Sequence, residues 1–419
     1  MKTILFEDDT IEQLYPITVA RAGYQISCAG FSLLDLFHSS EFQLYGQVRA
    51  YIEPTARLEA IQREIKMSFQ LPRFKEPTEL VLLVNARLVP AFSSFETIQK
   101  LAKGEKPTVL VHEGQAAAAL LTAEQARQVN WQNQKTIQES VLALKVPHKA
   151  TPLPLFVHLH ELIRYHLEYF DDNLAYRLKV GNYREVKDGL FVSGAASLGE
   201  YMVVNSQNGP ILVDDGASIG PYCYLCGPVY VGKKARIIEH AAIKDRVALG
   251  YTTKTGGEVE GSTIEPFTNK QHHGFLGHSY VGSWVNLGAG TCNSDLKNTY
   301  GNVTMDYTDE RVPTDMQFLG CVIGDYAKSA INTSIFTGKI IGSCSMLYGF
   351  ITRNVPSFVN YARAFGQVTE VSLEALAATQ ARMFARRNIE QKPEHIQLLS
   401  DIYEQTRHER LMANEPLQL

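Results

Sequence analysis

The segment best suited to chemistry is a polar run over residues 269–278, Asn-Lys-Gln-His-His-Gly-Phe-Leu-Gly-His. It holds three histidines within seven residues, namely His272, His273 and His278. Because imidazole has a pKa near neutrality, histidine is the side chain best suited to accept a proton at physiological pH. A glycine-rich run follows, and its backbone N–H groups at residues 288–290 are candidate donors to a developing oxyanion. The pattern therefore indicates general acid–base chemistry.

A repeat of six residues must position this run. Between residues 213 and 249 every sixth residue is a branched aliphatic, and a small residue or valine stands four places after each of the first six. A period of six fits neither an α-helix nor an alternating strand, but it fits a hexapeptide β-helix, whose coils each take three hexads. The aliphatic positions are Val213, Ile219, Leu225, Val231, Ile237, Ile243 and Leu249, and the small ones are Ala217, Cys223, Val229, Ala235, Ala241 and Val247.

The β-helix is predicted to span residues 189–360 with two breaks in its rhythm. The first break, over residues 251–270, is predicted to be a loop that projects from one corner. The second break covers residues 291–317. The three histidines lie between the two breaks, and histidines are not needed to build a coil.

Two other interpretations of the histidines remain. Some β-helix enzymes, the γ-class carbonic anhydrases, bind zinc through three histidines. The spacing in this chain differs from that of the carbonic anhydrases, and the sequence does not identify a bound metal. Each histidine also has the alternative of a structural hydrogen-bonding role, which we favour for His273 and His278.

The composition is that of a globular protein, with 45% hydrophobic and 20% charged residues among 419. A net charge of -4 gives no electrostatic argument for a nucleic acid or a membrane as partner. No signal-like segment follows Met1, and no apolar stretch is long enough to span a bilayer, so we expect a cytoplasmic protein. Cys223 and Cys226 form a C-x-x-C pair, but Cys223 is an interior position of its hexad and no second pair completes a zinc site.

Residues 1–150 are predicted to form an α/β domain with short buried strands. Ligands of such sheets bind at the carboxyl ends of the strands. A linking helix is expected within residues 151–188, and C-terminal helices within residues 361–419. The predicted strands of the first domain cover residues 3–6, 80–84 and 108–111.

The motifs Leu276-Gly277 and Val281-Gly282 are followed by the run Val-Asn-Leu-Gly-Ala-Gly-Thr over residues 285–291. In these motifs the sequence resembles the acetyltransferase half of the bacterial GlmU family. That family is bifunctional and makes UDP-N-acetylglucosamine. The motifs Asn-Lys-Gln-His, Gly-Phe-Leu-Gly-His-Ser and Ser-Asp-Leu-Lys-Asn look closest to a divergent GlmU-like branch. The resemblance implies a sugar-nucleotidyltransferase-like α/β domain, a linking helix and a left-handed parallel β-helix. It also implies a homotrimer with active sites between neighbouring subunits.

The resemblance assigns roles to individual residues. His272, five residues before the first glycine of the motif, takes the position of the catalytic base. For Asn286 and Asn293 a structural role at β-helix corners is an equal alternative, since asparagine tolerates left-handed backbone. The substrate-binding positions are Lys244, Phe275 (normally Tyr), Asn286, Asn293 and Ser294 (where the family has Tyr), and the acetyl-CoA positions are Ala289, Gly290 and Ala330.

The first domain lacks two features of ordinary sugar nucleotidyltransferases. No Gly-rich loop follows its first strand, and Asn85-Ala86-Arg87 stands where that family has a metal-binding aspartate. Both absences argue against Mg²⁺-assisted nucleotidyl transfer, although Mg²⁺ is the cofactor to expect if Asp8 or Asp9 supplies the carboxylate. Arg21 and Arg87 are predicted to bind a phosphate, with a structural salt bridge as an equal alternative.

The activity that the resemblance implies is acetyl-CoA-dependent N-acetyl transfer to an amino-sugar phosphate such as glucosamine-1-phosphate. A sugar-1-phosphate uridylyltransferase activity in the first domain would add a nucleotide to the ligands. One alternative is a non-catalytic scaffold or regulator that binds sugar nucleotides. Another is an acyltransferase for a different amino sugar, because Phe275 and Ser294 both lack the hydroxyl-bearing ring that the family offers its ligands.

Overall fold

The computed structural model describes residues 1–38, 44–46, 80–131, 134–307 and 310–411. The chain forms two compact units. Unit 1 comprises Met1–Ser27, Phe31–His158 and Met383–Ile402, and unit 2 comprises Cys28–Gly30, Leu159–Arg382 and Tyr403–Leu419.

Unit 1 is built on a six-stranded mixed sheet. Its strands are β1 (Lys2–Phe6), β4 (Leu44–Gly46), β5 (Leu80–Asn85), β6 (Thr108–His112), β7 (Gln115–Thr122) and β8 (His148–Ala150), and two-residue strands β2 (Ser27–Cys28) and β3 (Phe31–Ser32) lie between β1 and β4 in the chain. The order across the sheet is β4-β1-β5-β7-β6-β8, with β1 parallel to both β4 and β5, and β7 antiparallel to β5 and β6. The three strands predicted from apolar runs are β1, β5 and β6.

Short helices complete unit 1. At the start of the helix Ala123–Gln128 the Thr122 hydroxyl accepts from the Gln125 N–H at 3.3 Å, while the Gln125 side chain accepts from the Thr122 N–H at 2.9 Å, a reciprocal cap that starts the helix. Within the described residues the α-helices are α1 (Leu33–His38), α2 (Phe92–Ala102), α3 (Ala123–Gln128), α4 (Gln134–Leu142), α5 (His160–Val180), α6 (Leu373–Ala385) and α7 (Pro393–Gln405).

Unit 2 is the predicted left-handed parallel β-helix, which is confirmed. Face 1 consists of β10 (Leu190–Ser193), β13 (Ile211–Val213), β16 (Val229–Val231), β19 (Val247–Leu249), β22 (Thr263–Ile264), β25 (Tyr280–Val281), β29 (Cys321–Ile323) and β32 (Lys339–Ile341), with β9 (Tyr183–Lys187) antiparallel at its edge. Face 2 consists of β11 (Ser197–Leu198), β14 (Ser218–Ile219), β17 (Arg236–Ile237), β20 (Lys254–Thr255), β23 (Asn269–Lys270), β30 (Lys328–Ser329), β33 (Met346–Leu347) and β35 (Val359–Ala362), with β36 (Gln367–Glu370) antiparallel at its edge. Face 3 consists of β12 (Val203–Asn205), β15 (Tyr224–Cys226), β18 (Ala242–Lys244), β21 (Glu258–Glu260), β24 (Phe275–Gly277), β26 (Cys292–Asn293), β31 (Ser334–Ile335) and β34 (Phe350–Ile351).

The period of six sets the register between coils. Residues eighteen apart pair in parallel, as Ile219 does with Ile237 on face 2 and Leu225 with Ile243 on face 3. The aliphatic column of each face is fully buried inside the prism and forms one continuous core. The interior therefore follows directly from the hexad pattern, because every third hexad returns to the same face.

The prediction of a projecting loop over residues 251–270 is wrong. The chain continues around the prism through β20, β21, β22 and β23 without leaving it. The rhythm is obscured because one corner is short and because polar side chains take interior positions. These buried polar residues are Thr253, Thr255, Thr268 and Lys270.

The second break does leave the coil. After β26 the chain forms an antiparallel hairpin of β27 (Thr304–Asp306) and β28 (Arg311–Pro313) before it returns at β29. An isolated antiparallel bridge between Leu296 and Phe318 closes the base of this excursion. The structure thus separates a true insertion from an apparent one.

Helix α5 packs on the outer surface of face 1. The Arg177 guanidinium lies 4.0 Å from the centre of the Tyr230 ring on β16. The His166 ring is buried, with Nε2 2.6 Å from the Arg246 carbonyl and Nδ1 accepting from the Ala29 N–H at 3.1 Å. Because Nδ1 accepts a hydrogen bond, the ring is neutral and its proton is on Nε2.

Acid is expected to destabilise unit 2 through His166. Burial, with smaller contributions from the charges of His278 and Arg246, lowers the pKa of His166 from 6.5 to about 4, against the opposing effect of the hydrogen bond to the Arg246 carbonyl. Between these values the unfolded chain binds a proton that the folded chain does not, so stability falls as the pH drops from about 6.5 to about 4, by about 3 kcal/mol in total. Urea unfolding of wild type and His166→Gln at pH 7 and pH 4.5 checks this, since the variant is expected to lose less stability. An equal loss of stability in the two proteins would contradict the assignment of the acid sensitivity to His166.

None of the helices in the described ranges combines the length and the apolar character that a bilayer-spanning segment requires.

Candidate functional site

The three histidines of the polar run do not converge. His272 and His273 lie exposed at the corner between faces 2 and 3, in the segment that joins β23 to β24. His278 lies at the following corner, after β24. Across residues 1–38, 80–131, 134–307 and 310–411, no three His, Cys, Asp or Glu side chains are grouped to hold a metal ion. The zinc interpretation has no support from this arrangement.

Three residues assigned to the cofactor share the corner of His272. Backbone hydrogen bonds stack the corners of successive coils, with the Gly290 N–H donating to the His273 carbonyl at 3.1 Å and the Asn332 N–H to the Ala289 carbonyl at 2.7 Å. The structure therefore brings the candidate base and the candidate cofactor positions to one edge of the prism. The cofactor positions on this edge are Ala289, Gly290 and Ala330.

The glycine-rich run does not offer all its N–H groups to a ligand. The Gly290 N–H is engaged with the His273 carbonyl, and the Gly288 N–H donates to the Ser329 hydroxyl at 3.0 Å. A donor already bonded within the protein does not bind an oxyanion without breaking that bond. The expectation of oxyanion donors at these two glycines is wrong, because close stacking of the coils uses them.

Lys270 is a buried cation that sequence reasoning missed. Its Nζ donates to the carbonyls of Gly256 at 2.9 Å, His272 at 2.8 Å and Gly274 at 2.6 Å. Burial lowers the pKa of Lys270 to about 8, while the three carbonyls match the three hydrogens of an ammonium group. A signal existed, because Lys270 stands six residues before the inward Leu276, where the hexad expects an aliphatic.

Lys244, Phe275 and Ser294 all lie on the outer surface of face 3. The Lys244 Nζ pairs with Glu258 at 2.7 Å and Glu260 at 3.1 Å. Partial burial lowers the pKa of Lys244, but the two glutamates outweigh this effect and raise its pKa above the ordinary value. The exposed Ser294 donates its hydroxyl to a backbone carbonyl two residues later at 2.9 Å.

The two asparagines stand in strand positions and not at left-handed corners. Asn286 is exposed on face 2, and its side-chain oxygen accepts from Asn269 at 3.3 Å. Asn293 points into the prism and is 5% exposed, with its amide bonded to the Gly277 N–H at 2.9 Å and carbonyl at 3.0 Å. The corner-capping alternative is therefore wrong for both, and the Asn293 amide is engaged in joining β24 to β26. Their substrate-binding roles stay predictions.

A second missed residue is Asp295, which pairs with His278. The His278 Nδ1 lies 2.8 Å from the Asp295 carboxylate, and both side chains are 14% exposed. The Phe318 ring tilts against the imidazole at 5.5 Å. A Cβ at Gly277 would lie 2.4 Å from both the Asp295 carboxylate and the Phe275 ring, so both side chains would have to move to admit one. The pair anchors the start of the hairpin excursion to the coil.

In unit 1 the two arginines predicted to bind phosphate are both buried. Arg87 is 0% exposed and makes a bidentate ion pair with Asp8 at 2.6 and 2.7 Å. It also donates to the Phe156 carbonyl at 2.5 Å and to the Gln115 side chain at 2.7 Å. These contacts favour the structural salt bridge for Arg87. Arg21 is 6% exposed, and its role in phosphate binding stays a prediction.

The carboxylates considered for Mg²⁺ do not form a metal site. Asp8 is occupied by Arg87, and Asp9 is exposed at the start of a 3-10 helix. Asn85, where a metal-binding aspartate was expected, donates its amide to Asp8 at 2.7 Å. These residues do not fit a bound Mg²⁺, because an arginine already neutralises the one buried carboxylate among them.

Comparison with known proteins gives matches that each cover part of the chain. A sequence profile of the family described as sugar nucleotidyl transferase matches residues 3–177. The bifunctional sugar-1-phosphate nucleotidylyltransferase/acetyltransferase of Sulfurisphaera tokodaii is 27% identical over 177 residues, which cover 42% of this chain and 40% of that protein. The bifunctional protein GlmU of Thermotoga sp. strain RQ2 is 28% identical over 213 residues, which cover 48% of this chain and 42% of that protein.

A further bifunctional protein GlmU, from Cupriavidus pinatubonensis, is 31% identical over 114 residues, which cover 26% of this chain and 24% of that protein. The chain thus matches less than half the length of each of these relatives. Among solved structures, the UDP-N-acetylglucosamine acyltransferase of Francisella novicida is 14% identical and covers 56% of this chain and 79% of that chain, at a TM-score of 0.38.

Proposed function

We propose, from the premise that the chain is a divergent member of the GlmU-like family, that its β-helix is an acetyl-CoA-dependent N-acetyltransferase. The acceptor is an amino-sugar phosphate of the glucosamine-1-phosphate class, which places the protein in sugar-nucleotide biosynthesis. The active form is a homotrimer, as the family resemblance implies. A different amino sugar is the alternative acceptor, because Phe275 and Ser294 depart from the family pattern.

One observation carries this proposal. His272 is exposed on the same edge of the prism as Ala289, Gly290 and Ala330, the residues assigned to the coenzyme. An extended pantetheine running along this edge would bring its thioester beside the imidazole. Holding the amine and the thioester together is the larger part of such catalysis, and a base adds roughly 10²–10⁴-fold.

The proposed reaction needs one base and no metal ion. His272 accepts a proton from the attacking amine, whose nitrogen forms a bond to the acyl carbon. The carbon–sulfur bond then breaks, and the departing thiolate takes the proton to give the free coenzyme thiol. Lys244 is proposed to bind the acceptor with Phe275, and Asn286 contributes its exposed amide. The donors to the oxyanion must lie elsewhere than the N–H groups of residues 288 and 290, since both are engaged.

For unit 1 we propose sugar-nucleotide binding without metal-assisted nucleotidyl transfer. The buried ion pair of Arg87 with Asp8 supports the absence of metal-assisted transfer, because it occupies a carboxylate that was considered for Mg²⁺. A scaffold or regulatory role for the whole chain is the competing proposal.

Thiol release distinguishes these proposals. The full chain is mixed with acetyl-CoA and glucosamine-1-phosphate, with other amino sugars and their phosphates in parallel reactions. We expect one equivalent of free thiol for each acceptor acetylated, and no pyrophosphate release from UTP and an N-acetylated sugar phosphate. Binding of a UDP-sugar by calorimetry without any thiol release would support the scaffold and overturn the enzyme.

A further inference from the structure

The coil that precedes His272 has a short corner between faces 2 and 3. In the coil before it, five residues separate the inward Ile237 of face 2 from the inward Ile243 of face 3. Only three residues separate Thr255 from Val259, which pair with those positions. The corner has therefore lost two residues, although the strands on either side keep their register.

Two glycines make the short corner. Gly257 has a left-handed φ of +68°, and a Cβ there would lie 2.8 Å from the Lys270 Nζ. A Cβ on Gly256 would lie 2.2 Å from a backbone carbonyl of the next coil. The coil under His272 thus presents no side chain at this corner, whereas the coil before it presents the exposed His240. The edge of the prism therefore has a recess beside His272, at the Gly256–Gly257 corner of the preceding coil.

The Lys270 ammonium lies inside this corner and ties two coils together. It binds the Gly256 carbonyl of the short corner at 2.9 Å. It also binds the carbonyls of His272 at 2.8 Å and Gly274 at 2.6 Å, within the loop that carries the imidazole. The Lys270 side chain therefore holds two carbonyls within residues 271–274 and joins them to the short corner.

Burying a lysine at a position that an aliphatic side chain would fill is energetically unfavourable. Taking an ammonium out of water costs several kcal/mol, and an apolar side chain of similar volume is often as good or better for stability. Packing alone therefore does not account for Lys270, and its contacts concentrate on the loop of His272.

We propose that Lys270 is a positioning residue of the acyl-transfer site, an inference that rests on the function proposed above. Its ammonium fixes residues 271–274 so that the His272 imidazole stands beside the recessed Gly256–Gly257 corner. The recess admits the acceptor amine, which reaches the imidazole without displacing a side chain.

The test uses two variants of the full chain in the thiol-release assay. Lys270→Met removes the ammonium, and Gly257→Ala leaves the lysine but places a methyl group against its Nζ. Both are expected to lower kcat about 10-fold or more while KM for acetyl-CoA changes by less than about threefold, because the coenzyme-binding residues are untouched.

Gly216→Ala is the matched control. Gly216 has the same φ of +68° at the corner between faces 1 and 2, and a Cβ there meets only the Lys234 side chain at 3.2 Å. The kcat of Gly216→Ala is expected to equal that of wild type, although its Tm is expected to fall by about as much as the Tm of Gly257→Ala. If Lys270→Met does not fold, Gly257→Ala decides the question.

Wild-type kcat in Gly257→Ala, or an equal fall in Gly216→Ala, overturns the positioning role and leaves the acyl transfer intact. Absence of thiol release from wild type overturns both proposals.

Discussion

Replacing His272 with glutamine is expected to lower kcat of acyl transfer by roughly 10²–10⁴-fold, equivalent to about 3–5 kcal/mol of barrier. The side chain is exposed at a corner and contributes no packing to the interior, so the fold is expected to remain intact. Glutamine keeps a polar side chain but cannot accept the proton of the amine at neutral pH. Initial rates of thiol release at saturating acetyl-CoA measure the effect, and thermal unfolding verifies that Tm is unchanged.

His273→Gln provides the control for this experiment. His273 is exposed beside His272, and the contact it makes to the next coil uses its backbone carbonyl. We expect its kcat to stay within about threefold of wild type, since its imidazole is not the base. Full turnover in His272→Gln would end the assignment of the base, and loss in His273→Gln alone would move it by one residue.

Replacing Arg87 with methionine is expected to destabilise unit 1 by about 3–5 kcal/mol. The substitution leaves the Asp8 carboxylate buried without its bidentate partner and removes the donors to the Phe156 carbonyl and the Gln115 side chain. An unpaired buried charge is among the few causes of so large an effect from one substitution. Urea unfolding followed by fluorescence gives the change in free energy.

Two further variants separate the causes of this loss. The double variant Asp8→Leu/Arg87→Met is expected to recover a large part of the stability, because removing both charges leaves neither uncompensated. Arg311→Met removes an ion pair whose side chains are 76% and 53% exposed, and is expected to change stability by less than about 1 kcal/mol. If Arg87→Met instead kept full stability and weakened nucleotide binding, the phosphate-binding role would replace the structural one.

The β-helix was predictable because its rule is local. A side chain six residues from the last meets the same environment in the next face, so the aliphatic column could be counted along the chain from Val213 to Leu249. The strand Leu80–Asn85 was predictable for a similar reason, since its apolar run over residues 80–84 suits a strand covered on both faces.

The residues that depart from the period were the ones that sequence reasoning misread. The broken rhythm of residues 251–270 predicts a projecting loop, but these residues continue the coil with a short corner and polar interior residues. The corner-cap alternative for Asn293 is also wrong, because its side chain points inward and joins two strands through the backbone of Gly277. Residues that break the repeat have partners in neighbouring coils: Lys270 bonds to Gly256, 14 residues away in the chain, and Asn293 bonds to Gly277, 16 residues away.

Hexad counting thus determined the architecture of unit 2, and motif similarity selected His272 and the residues around it. Only the tertiary structure decided that the three histidines occupy two different corners, that Arg87 is committed to Asp8, and that Lys270 holds the loop of His272 from inside the prism. The physical reason is that apolar burial depends on the type of each residue and its period. Hydrogen bonds and ion pairs depend instead on which distant groups the stacked coils bring within about 3 Å of each other.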